Sequence, residues 1–225
     1  GNALQGAIST GAKAAGVAVA GLAATVTANL GGAVQRADQL YTFPKVMANI
    51  GFSSEEASKQ INRISDSLDG LPVATDSVVR VAQGLAPLTG DLSKATDISL
   101  AFNNALLAGG ASTTLAANAM EQYRQQMAAG KVDRMAWRSM MNAMPGQMNQ
   151  IAKTLLGAEE NADTLFDAMR DGNVTFDDFN NALLKINAEG GEGFASFETQ
   201  ARSATAGVGA AFTNAKIRIQ KAMEK

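Results

Sequence analysis

The sequence predicts an all-α protein: a compact array of short helices and helical hairpins, preceded by a helix rich in small residues. Composition predicts it first. Hydrophobic residues make up 46% of the 225 while aromatics supply 5%, so Ala, Gly, Leu and Met carry the apolar load. That mix suits close helix packing, whereas strands favour β-branched and aromatic side chains. Punctuation is the second observation: capping residues and Gly or Pro stops recur at helical spacings. Third, no run of four to eight residues alternates well enough to read as a strand.

Residues 1–35 stand apart. From Ala14 to Gln35 no residue is charged, and Gly recurs at 6, 11, 16 and 21. The run is long enough to cross a bilayer, but it is mostly Ala, Gly, Thr and Val with Asn29 inside it. Val19, Leu22, Val26 and Leu30 fall on one helical stripe, with small residues around the rest. This favours a helix that packs against copies of itself or its neighbours. A membrane-active segment at residues 7–32 is the alternative reading, and a disordered one the third.

Short helices are expected from residue 36 to 198. Ser53 and Glu56 form a capping-box pattern, opening a helix through Ile61, Ile64 and Leu68 that stops at Gly70 and Pro72. Helical patterns follow at 75–85, 92–108, 112–129, 134–144, 146–156, 161–171 and 175–188. Gly109-Gly110 and Gly190-Gly191 separate neighbours, Ser112 reads as an N-cap, and Pro145 suits a first helical position. Residues 199–225 read as a further helix leading into the remainder of a longer protein.

A hairpin recurs within the series. Met127, Gly130, Val132, Trp137, Met141 and Met144 reappear at one common offset as Met169, Gly172, Val174, Phe179, Leu183 and Ile186. Gly130 and Gly172 would end a helix at positive φ, Asp133 and Thr175 would cap the next, and Val132 and Val174 would staple onto Trp137 and Phe179. A second echo, Phe-Asn-Asn-Ala-Leu-Leu at 102–107 and 179–184, lacks matching flanks.

Little here can do chemistry. The chain has no Cys and no His, which removes thiol nucleophiles, thiolate or imidazole metal sites and the usual general base. The segment Asp167–Asp178 imitates a calcium loop, with acids at positions one, five and twelve, but Met169 stands where a ligand is needed and Asp178 replaces the bidentate Glu. Helix capping explains its Gly172 and Val174. The acid pairs Glu55-Glu56, Glu159-Glu160 and Asp177-Asp178 could suggest a glycosidase, yet all lie at or near helix N-termini, where acids are favoured. Gly109-Gly110-Ala111-Ser112 has neither the strand nor the Lys of a phosphate loop. No catalytic, cofactor or metal residue is therefore named, and the chain reads as no enzyme.

Charge and apolar residues point to contacts instead. The net charge of −2 argues against specific nucleic-acid binding. Residues 159–198 hold ten acids against Arg170 and Lys185, and residues 201–225 hold five bases against Glu224. Seven of the ten methionines lie between 120 and 148. Core packing explains most of them, but adjacent Met140 and Met141 cannot share a helix face, so some of this Met would face a partner. Trp137 reads as a core anchor. The start is no secretory signal peptide.

A series of short motifs resembles one family throughout residues 33–215. They are Phe43-Pro44-Lys45-Val46-Met47, Gly51-Phe52-Ser53, Leu68-Asp69-Gly70-Leu71-Pro72, Leu88-Thr89-Gly90-Asp91-Leu92 and Ala105-Leu106-Leu107-Ala108-Gly109-Gly110-Ala111. Met120-Glu121-Gln122-Tyr123, Gly130-Lys131-Val132-Asp133, Ala143-Met144-Pro145-Gly146, Asp171 to Phe179 and Gly193-Phe194-Ala195-Ser196-Phe197 continue it. In this order they resemble the tape-measure domain of long-tailed bacteriophage and prophage tape-measure proteins. The resemblance implies a virion structural protein, present in a few copies inside the tail tube, that sets tail length during assembly in the host cytoplasm and is released when DNA is ejected. It also implies self-association and contacts with tail tube protein, tail assembly chaperones and tail tip proteins, with host-membrane contact through residues 7–32, and no cofactor.

Overall fold

The computed structural model describes residues 41–68, 71, 75–191 and 193–207. The small-residue segment at 1–35, the Gly70 and Pro72 stop and residues 208–225 of the basic stretch 201–225 lie outside them. The described residues are almost wholly helical. Residues 41–49 belong to α1, followed by α2 (Ser54–Leu68), α3 (Thr75–Thr89), α4 (Leu92–Ala108), α5 (Thr113–Ala129), α6 (Arg134–Ala143), α7 (Pro145–Leu156), α8 (Ala162–Arg170) and α9 (Phe176–Glu189). Residues 197–207 belong to α10. Among the described residues there is no strand, and one isolated antiparallel bridge joins Gly191 to Phe194.

Local chemistry sets most boundaries. Ser53 Oγ accepts from the Glu56 N–H at 3.0 Å, Asp91 from Lys94 and Ser112 from Leu115. Asn161 and Thr175 form complete capping boxes with Thr164 and Asp178. Each bond satisfies an amide that the first helical turn leaves without a partner. One residue separates α6 from α7. Pro145 disfavours helical backbone at Met144, which sits at φ −149° and ψ 61°, and Pro145 then opens α7 without needing its own N–H.

The pattern ending at 85 undershoots α3, which runs to Thr89 with Pro87 inside its last turn. Thr89 Oγ1 lies within hydrogen-bond distance of the carbonyls of Leu85, Ala86 and Asp91, so its one hydrogen gives that turn a donor although Pro87 supplies none.

Helix α4 is the centre of the molecule. It packs on α2, α3, α5, α7 and α9, most extensively on α3. Leu92, Ala95, Ile98, Ala101, Phe102, Ala105 and Leu106 are fully buried, which leaves almost no solvent-facing stripe, as expected of an interior helix. Its alanines let neighbours approach closely, while Leu92, Ile98, Phe102 and Leu106 each contribute roughly 1.5–3 kcal/mol by burial. Thr96 and Ser99 bond the carbonyls of Leu92 and Ala95 in the same helix, so their hydroxyls lie in the core with partners. A single hydrophobic cluster runs from Phe43 to Phe197.

The two repeated hairpins are α5–α6 and α8–α9. Gly130 and Gly172 take φ of 65° and 77°, and Asp133 and Thr175 cap the second helices. Val174 and Phe179 are buried and Val132 packs on the core beside buried Trp137. The equivalent anchors of the two copies meet: Trp137 and Phe179 lie edge to face, with ring centroids 6.2 Å apart.

Candidate interaction surfaces

Five rings from five helices form a continuous aromatic row that sets where other residues can point. Phe102 stacks on Tyr123 at 4.4 Å, Tyr123 meets Phe179, Phe179 meets Trp137, and Trp137 meets Phe166 at 5.7 Å. The two Phe-Asn-Asn-Ala-Leu-Leu segments thus lie on packed helices, α4 and α9, with Tyr123 between their phenylalanines. Their flanks differ, but their placement is related. Inside the row, Tyr123 donates its hydroxyl hydrogen to Asn180 Oδ1. Burial pushes the Tyr123 phenol well above its ordinary value. Trp137 Nε1 donates to the Ala162 carbonyl at 3.0 Å, and the Ala162 amide donates to Asn149 Oδ1 at 2.9 Å. Trp137 is the core anchor its spacing predicts.

The acidic residues singled out in the sequence all hold local structural positions. Glu55-Glu56 and Asp177-Asp178 occupy first helical turns, and Glu159-Glu160 lie in the turn before α8. In the calcium-loop lookalike, Asp167 and Asp171 both pair with Arg170 at 2.8 Å. Asp178 instead accepts from the Thr175 amide and hydroxyl. These bonds hold the Asp178 carboxyl below the usual carboxylate range, the hydroxyl contributing most. The Arg170 guanidinium does the same for Asp171. Among the described residues no group of three or more Asp or Glu is placed to hold a metal ion.

Two recesses lie on the surface of the described residues and bear on the question of a site. One of about 480 Å³ lies between α2, α4, α9 and α10, where Arg63–Asp97 and Glu198–Arg202 ion pairs and the Asn104–Asn187 hydrogen bond form the walls. The other, about 530 Å³, lies between α3 and α5. There Arg124 grips Glu121 with two hydrogen bonds and lays its stem over Gly84. Most of the charges that wall the two recesses have partners, among them Arg63, Asp97, Glu198, Arg202, Arg80, Glu121 and Arg124.

Outward apolar side chains are the stronger contact feature. Tyr41, Ile50, Leu88 and Met135 are exposed, Met135 at 79%. Of the clustered methionines, Met120, Met140, Met144 and Met148 are buried, and Met127 and Met141 pack on the core from its edge. Met135 alone of the seven faces out. The signal that locates it is Trp137: two residues apart on a helix is about 200° around the axis, so an inward Trp137 turns Met135 to solvent. Among the described residues no helix is long and apolar enough to cross a membrane.

A family sequence model described as tape measure protein matches residues 31–225. No curated protein and no solved structure matches the chain.

Proposed function

The chain belongs to the tape measure protein family, and on that premise we propose that it is a structural module of the phage tail that occupies the tube lumen, helps set tail length during assembly and leaves at DNA ejection. The family match over residues 31–225 carries this reading. The folded core supports it: the acids of the calcium-loop lookalike, Asp167, Asp171 and Asp178, are engaged in ion pairs and a cap, while apolar residues such as Met135 are left for contacts. The module acts by helix–helix contact with copies of itself and with tail tube, tail tip and assembly-chaperone proteins, in the host cytoplasm first and in the virion afterwards. It has no catalytic role in this scheme. Mass spectrometry of purified tail particles tests it. Peptides around Trp137 are expected in intact virions and depleted from particles that have ejected their DNA; absence from both would overturn the reading.

The long uncharged run Ala14–Gln35 favours a second activity, membrane contact through residues 7–32. Leakage of dye-filled liposomes by the full chain, but not by a chain beginning at residue 36, is the expected outcome of that alternative.

A further inference from the structure

The repeated hairpins carry opposite charge. Residues 113–143 hold four bases (Arg124, Lys131, Arg134, Arg138) against Glu121 and Asp133, while residues 162–189 hold six acids against Arg170 and Lys185. Within the basic hairpin, Arg124 is engaged by Glu121 and Arg134 by Asp163. Lys131 and Arg138 are exposed and have no carboxylate partner among the described residues. They flank Met135, the most exposed large apolar side chain described. In the acidic hairpin, one guanidinium, Arg170, serves both Asp167 and Asp171, and Asp177 is 77% exposed although Lys94 approaches to 3.3 Å.

We infer that the outer face of α6, centred on Met135 with Lys131 and Arg138 beside it, docks on the acidic α8–α9 turn of a second copy of this chain. An adaptable apolar side chain with unpaired charge nearby in the chain is a contact surface in type, and the complementary charge sits on the same chain. Within one molecule the two hairpins meet elsewhere, through Trp137 and Phe179 and through the Arg134–Asp163 pair. The α9 helix lies against the inner side of α6 through Phe179 and Trp137, and Met135 points the other way. The contact is therefore intermolecular and heterologous, joining two different patches, so a pair of copies keeps one free patch of each kind. A patch this small and this charged gives weak association that salt screens.

This inference rests on the self-association proposed above, and its test is separate from the location of the protein in tails. Sedimentation velocity of the full 225-residue chain is run at low and high salt, alongside Met135→Glu/Arg138→Glu and Asp171→Lys/Asp177→Lys. All four sites are exposed, and far-UV circular dichroism checks that each variant is folded. The wild type is expected to associate with rising concentration, each variant to lose association at least about tenfold, and the equimolar mixture of the two to regain it. Regain in the mixture is the signature of two different patches. Wild-type chain that stays monomeric overturns the inference, as do variants that associate like wild type or a mixture that remains dissociated.

Discussion

Tyr123 shows how one buried polar contact constrains the core. Its ring lies between Phe102 and Phe179, and its hydroxyl has one partner, Asn180, which is itself fully buried. Tyr123→Phe leaves Asn180 Oδ1 without that donor and is expected to cost about 1–3 kcal/mol in a denaturant titration. The folded state raises the phenol's affinity for its proton, chiefly by burial. Stability from this site is thus complete below the unfolded phenol value near 10 and declines as pH rises through and beyond it. Wild type should lose stability more steeply than Tyr123→Phe between about pH 10 and 11.5; equal slopes would place the hydroxyl outside the core. The carboxylates run the other way. Asp178 and Glu121 are held low by Thr175 and Arg124 respectively, so what they contribute is present above the ordinary carboxylate range and lost as pH falls through it.

At the scale of elements, caps and close approaches set separate limits. Thr175 closes a capping box at the start of α9, and Thr175→Ala should lower stability by about 1 kcal/mol. Two glycines test different physics. A Cβ on Gly130 would meet nothing within 4 Å, but φ is +65°, so Gly130→Ala should cost roughly 1–2 kcal/mol through backbone strain alone. A Cβ on Gly109 would lie 2.7 Å from the Ala143 carbonyl oxygen and 2.8 Å from Met144 Cα. Gly109→Ala must therefore push the α6–α7 corner away from α4, with an expected loss of about 1–3 kcal/mol. Thermal melts of both variants check this, and only Gly109→Ala should also shift near-ultraviolet signals from the aromatic row. The caps were legible in the sequence because each acts over three residues. The Gly109 contact was not, because its partner lies in another helix.

For the whole molecule, one cluster links Phe43 in α1 to Phe197 in α10, and Trp137 lies within it. Unfolding followed by Trp137 fluorescence should coincide with loss of helical circular dichroism, the mark of a single cooperative unit. Separated transitions would divide the array. Trp137→Ala should cost about 3–5 kcal/mol, because it empties the junction of α6, α8 and α9 and leaves the Ala162 carbonyl without its donor.

By itself the sequence determined the helices, most of their ends and, among the described residues, the absence of strands. Ser53, Ser112, Asp133 and Thr175, the stops at Gly130 and Gly172, and Pro145 all act on their own neighbours. It also determined that Trp137 turns inward, and, through its ordered motifs, the tape measure family. Only the tertiary structure decided that α4 lies at the centre, that the echoed segments flank Tyr123 and that α3 continues through Pro87. The reason is physical. Several helices of similar length and composition bury comparable apolar area in many pairings, so partner choice depends on the sum of contacts distant in sequence. No local spacing carries that sum.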